Sequence, residues 1–126
     1  MFKFTGKRPQ NLGVKDGRLA ACANKPNAVS SQADASDAVH YIAPLQVPGG
    51  MAAVRALLEK SERVHIVEAK PGYLYAEFST KLMGYVDDVE FYDDGKAIQV
   101  RSASRLGYSD LGVNRKRVEA IRSALR

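Results

Sequence analysis

From Gly50 onward the apolar positions of the chain fall into regular periods. Met51, Val54, Leu57 and Leu58 share one face of a helix predicted from Gly50 to about Ser61. Val64 to Ala69 reads as a short strand. Lys70-Pro71-Gly72-Tyr73 then places Pro and Gly where a type II turn requires them. In the next strand, Tyr73 to Thr80, Leu74, Ala76 and Phe78 alternate against Tyr73, Tyr75 and Glu77. Two further strands are predicted, from Tyr85 to Asp93 and from Lys96 to about Ala103. Asp94-Gly95 between them suits a two-residue type I′ hairpin. That turn sets Asp93 opposite Lys96, Phe91 opposite Ile98, Val89 opposite Val100 and Asp88 opposite Arg101. The apolar pairs then share one face and the charged residues the other, and a one-residue slip would scramble both. A last helix from Asn114 buries Val118, Ile121 and Leu125. The expected fold is α+β: a four-stranded antiparallel sheet flanked by two helices.

Residues 1–48 lack such a period and are rich in Gly, Pro, Asn and Ser. Leu12, Val14, Leu19, Val29, Tyr41, Ile42 and Leu45 are apolar anchors for an extended, irregular arm draped over a 49–126 core. With 126 residues, a single domain is expected.

Composition adds limits. The formal net charge is +5 and 45% of residues are hydrophobic, which favours anionic partners without the dense basic clustering of a nucleic-acid binder. The lone Cys22 rules out an internal disulfide and a multi-cysteine zinc site. No run is apolar enough for a signal-peptide core or a bilayer span, so a cytoplasmic location is expected.

Two constellations carry candidate chemistry. The first is a charged row on the open face of the sheet, with Glu77 near Asp88 and Asp88 opposite Arg101. Carboxylates and a guanidinium on rigid strands can tune one another or grip a polar ligand. They can equally form a cross-strand salt bridge worth up to about 1 kcal/mol. The second is the start of the last helix, where Asn114 suits the N-cap and Arg115, Lys116 and Arg117 fill the first turn. Cations there oppose the helix dipole. Either an anion held by free amides and arginines offsets them, or internal acids such as Asp110, Asp87 and Asp88 do.

Enzyme motifs are sparse. Ser30 or Ser31, His40 and an acid could be drawn as a triad, but no nucleophile elbow accompanies them. His65 alternates with Val64 and Ile66, where a packed or edge-exposed imidazole is the default. There is no Walker loop, no GxGxxG, no HExxH and no metal set, and no cofactor is expected.

RPQNLGVKDGRLAAC, PNAVSS, GYVDDVEF and VRSASRLGYSDLGVNRKRVEAIR closely resemble the family known as domain of unknown function 1499. The resemblance spans nearly the whole chain. It implies relatives in bacteria and in plants, where members are plastid-targeted, and no established biochemical activity. The matching residues are Asn11, Asn27, Ser30, Ser31, Asp87, Asp88, Glu90, Arg101, Ser102, Ser104, Arg105, Asp110, Asn114, Arg115 and Arg117. The family pattern CPxxPNCVSS carries a cysteine pair. Here Cys22 stands at the first position and Ala28 at the second, so no role of that pair is expected.

The leading expectation is a non-enzymatic binding or accessory module for an anionic small ligand or acidic partner surface. Its candidate ligand residues are Arg101, Arg105, Asn114, Arg115 and Arg117. Glu77, Asp87, Asp88, Glu90, Ser102, Ser104 and Asp110 form the accompanying polar network. One alternative is a hydrolase-like enzyme using Asp88 or Glu90 as base. The other is a purely structural network knitting loop to sheet.

Overall fold

The computed structural model describes residues 5–126. In chain order the elements are β1 (Ala28–Ser30), α1 (Gly50–Glu59), β2 (Val64–Lys70), β3 (Tyr73–Ser79), β4 (Val86–Asp93), β5 (Ile98–Ser104) and α2 (Val113–Ala124). All five strands form one antiparallel sheet in the order β1-β5-β4-β3-β2. The expected four strands are β2 to β5; the fifth, β1, comes from the segment read as irregular. Its three buried residues are too few to display a period. It exists because the outer edge of β5 needs partners: Ser31 N–H donates to the Val100 carbonyl and Ser104 N–H to the Asn27 carbonyl.

Both helices cover one face. Leu74, Ala76, Val89, Phe91 and Val100 pack there with Val54 and Leu58 of α1 and Val118 and Ile121 of α2, burying the apolar half of each alternation. The type II turn holds, with Gly72 at φ +76° and Lys70 paired to Tyr73.

The β4–β5 hairpin departs from the expected register by two residues. Phe91 faces Val100, Glu90 faces Arg101, and Asp88 faces Ala103 rather than Arg101. The connection spans 94–97, because its acids hold a wider loop than a type I′ turn. The Asp94 carboxylate accepts the Lys96 and Ala97 N–H groups at 2.9 Å each, and Asp93 accepts that of Gly95. Such side-chain-to-backbone bonds compete with the tight turn. A slip of two preserves the faces, so the core pattern fits either register.

The opposite face is not open. Leu19 packs with Tyr73 and Tyr75, with Leu12 and Val14 beside them, so residues of the 1–48 segment lie across the charged side of the sheet.

Candidate functional site

β-strand alternation brings Tyr73, Tyr75 and Glu77 of β3 to the same face as Asp88 and Glu90 of β4; Glu77, expected near Asp88, is directly opposite it. Arg105, just past β5, closes over them. Its Nε donates to Asp88 Oδ2 at 2.9 Å and its Nη2 to Asp88 Oδ1 at 2.8 Å, a bidentate fork. Nη2 also reaches Glu77 Oε2 at 2.5 Å. The Tyr75 hydroxyl donates to Asp88 Oδ1 at 2.5 Å. Arg105 and Asp88 side chains are 6% and 1% exposed, so this ion pair is buried. The Asp88 bond raises the Arg105 guanidinium further above its ordinary value. Burial, then the bond to Asp88, pushes the Tyr75 phenol up. Glu77 is also pushed up by burial, but bonds from Arg105 and Arg8 outweigh this and hold its carboxyl below the usual value. Arg8 Nε and Nη2 both lie 2.9 Å from Glu77 Oε2, and Arg105 Nη1 donates to the Thr5 carbonyl. The network thereby fastens the arm to the sheet.

Glu90 and Arg101 form a looser buried pair, with Oε1 and Nη1 3.9 Å apart. Glu90 Oε2 accepts the Tyr73 hydroxyl at 2.5 Å and the Gly13 amide at 2.7 Å. Arg101 Nη2 donates to the Ala21 carbonyl. Glu90 Oε1 and Arg101 Nε have no hydrogen-bond partner among the described residues.

The second constellation sits on the helix side. Gly112, at φ +83°, occupies the N-cap of α2, and Asn114 lies inside the first turn, fully buried. Asn114 is therefore not the cap: its amide has been drawn inward. Its Oδ1 accepts Ser102 Oγ at 2.7 Å and Arg117 Nη1 at 2.8 Å. Its Nδ2 donates to Ser104 Oγ at 2.9 Å and Asp110 Oδ2 at 2.8 Å. The Asp110 carboxylate accepts the Gly112 and Asn114 amides, placing an internal anion at the positive helix end. Burial pushes the Asp110 carboxyl up, but the Asn114 side chain and the two amides outweigh it and hold the group below its usual value. Arg117 Nη2 meets Asp87 Oδ2 at 2.7 Å, and its guanidinium lies 5.0 Å over the Phe78 ring. Arg115 Nη2 reaches the Ala38 and Val39 carbonyls.

Of the triad drawn from the sequence, His40 meets Asp37: Nδ1 is 2.8 Å from Asp37 Oδ2 and Nε2 2.8 Å from the Lys25 carbonyl. Both ring nitrogens face acceptors, so the imidazolium fits this place, and Nε2 is not directed at a nucleophile. Ser30 Oγ accepts the Gln32 amide, and Ser31 Oγ donates to Gln99. His65 is exposed on edge strand β2. Cys22 lies with His40 and Asp37 beside a cavity of about 300 Å³, and burial pushes its thiol up. The Lys25 carbonyl, then Asp37, raises the His40 imidazole above its ordinary value. A raised imidazole contributes stability that is complete below the unfolded value and lost as pH rises through the folded one. The melting midpoint should therefore fall as pH rises above the ordinary histidine value of about 6.5 in the wild type and lose that step in His40→Gln. A wild type flat over this rise contradicts the assignment.

Sequence reasoning missed Tyr73, Tyr75 and Arg8 as partners of the network, and Asp37 as the acid that meets His40. The signal was present for the tyrosines, whose alternation places them beside Glu77. It was absent for Arg8 and Asp37, which arrive on irregular chain.

Fold and site together define a small α+β module: helices on one face of a five-stranded sheet, and on the other an N-terminal stretch held by the Arg8–Glu77 pair, the Gly13–Glu90 bond and arginine bonds to the Thr5 and Ala21 carbonyls. The chain belongs to the family of proteins of unknown function DUF1499, whose model matches residues 18–125. No curated protein and no solved structure matches it. Among the described residues, no helix is long and apolar enough to cross a membrane.

Proposed function

We propose that the chain is a non-enzymatic binding module, a single domain in which the arginine–carboxylate network is scaffold and one apolar end meets the partner. The observation that carries this reading is where the exposed large hydrophobic side chains lie. Among the described residues these are Val39, Leu82, Tyr85, Leu106, Tyr108, Leu111 and Val113. Tyr85, Leu106, Leu111 and Val113 line a depression of about 330 Å³; Val39 lines another of about 170 Å³. The two depressions share Ser109 and Asp110. Leu82 lies with Tyr85 in the 80–85 loop, and Tyr108 with Leu106 and Leu111 in the 105–112 loop. Contiguous exposed apolar surface is the usual mark of an interaction site.

The ligand reading at Arg101, Arg105, Asn114, Arg115 and Arg117 has less support, because each has internal partners. The hydrolase-like alternative asks Asp88 or Glu90 to meet a substrate, and both are buried.

The test replaces Leu82, Leu106, Tyr108 and Leu111 together by Ser. Side chains that serve binding are dispensable for folding, so the melting midpoint should stay within a few degrees. A polarity-sensitive dye should brighten on the native wild type and stay dark on the variant. A dark wild type, or a midpoint lowered by about 10 °C or more, defeats the reading.

A further inference from the structure

We infer that this apolar end, taken as the binding surface proposed above, docks on an anionic lipid surface. The most exposed of its side chains are at loop positions: Leu111 is 87% exposed, Leu82 77% and Tyr108 69%. Apolar tips of this kind suit insertion among lipid headgroups, and tyrosines suit the water–hydrocarbon boundary.

Charge selects the lipid. Lys81 adjoins Leu82, and Arg115 and Lys116 stand two and three residues after Val113 in the first turn of α2. Lys81 and Lys116 are exposed, and Arg115 is half-buried. The only acid in residues 80–85 and 104–117 is Asp110, whose carboxylate is turned inward onto the amides of α2. Nor is there a free acid beneath: Asp87, which lines the larger depression, is paired with Arg117. Along these two segments the surface is thus apolar at its tips, cationic at its collar and without an outward carboxylate. That pattern complements a layer with hydrocarbon beneath and negative charge on its face. A protein partner would need an apolar knob ringed by acids; a bilayer with acidic lipids presents both over any area.

Co-sedimentation with vesicles tests this directly. The full chain should pellet with vesicles in which about one-third of the lipid is phosphatidylglycerol and far less with pure phosphatidylcholine. Raising salt from roughly 0.1 M to roughly 1 M should weaken binding, since the charges are exposed. Leu82→Ser/Tyr108→Ser/Leu111→Ser should lower vesicle affinity about tenfold or more with an unchanged melting midpoint, and Lys81→Gln/Lys116→Gln should flatten the salt dependence. A wild type that stays in the supernatant with acidic vesicles, or a triple variant that binds like it, overturns the proposal. Self-association that the triple variant loses, without vesicle binding, also overturns it and makes a second copy of the chain the partner. Dye binding by the wild type with no vesicle binding would leave the apolar surface standing and remove the lipid.

Discussion

Arg105→Ala should cost about 3–5 kcal/mol of stability, the usual penalty for leaving one member of a buried ion pair behind. Among the described residues, Asp88 would keep only the Tyr75 hydroxyl as a side-chain partner, and Glu77 only the exposed Arg8 and that same tyrosine. Asp88→Asn/Arg105→Ala should be less damaging than Arg105→Ala alone, because the stranded charge is gone. Arg8→Ala, removing a partner that is half exposed, should cost no more than about 1 kcal/mol. Urea unfolding of the four proteins measures this. An Arg105→Ala loss within about 1 kcal/mol would falsify the scaffold role of the arm-face network.

The second large effect is expected at Asn114, where one amide serves both the helix start and the sheet. Asn114→Ala removes the acceptor for Ser102 and Arg117 and the donor to Ser104 and Asp110 in a fully buried place. The loss should be about 2–4 kcal/mol, since several buried groups go unpaired at once. Asn114→Asp keeps the shape and should still be at least as harmful at neutral pH. Its carboxylate cannot donate to Ser104, and it faces the Asp110 carboxylate. Acidification towards about pH 4 should narrow the gap between Asp and Ala, because a protonated acid regains one donor. Equal stability of Asn114→Asp and wild type at neutral pH would contradict the hydrogen-bond assignment.

These two positions also show what could be read from the sequence and what could not. The strand alternation from Leu74 to Phe78 placed Glu77 near Asp88 without any structure, because period two fixes the face on which both lie. The hairpin partner of Asp88 was misplaced, since registers two residues apart keep the same faces. Only the carboxylates of Asp93 and Asp94, bonding to loop amides, separate them. Asn114 had the right type for a cap, yet Gly112 reaches a positive φ without strain and takes the position. Arg105 stood out as a charged residue beyond a strand, but its partners were set by how the chain leaves β5, which no periodicity encodes. β1 was invisible because three residues contain less than two strand periods.

β2 to β5 join through short turns and can assemble from neighbours, whereas the arm closes over distances of 80 residues from Ala21 to Arg101 and 87 from Asn27 to Asn114. Loop closure of that span delays docking relative to hairpin formation. On the ribosome, β1 emerges early and waits for β5, the last strand made. Until it docks, β5 presents an unpaired edge, the kind of surface onto which another chain can add a strand. The late-closing arm thus guards the growing protein against pairing with its neighbours, and an arm that docks slowly lengthens the time during which it is exposed to them.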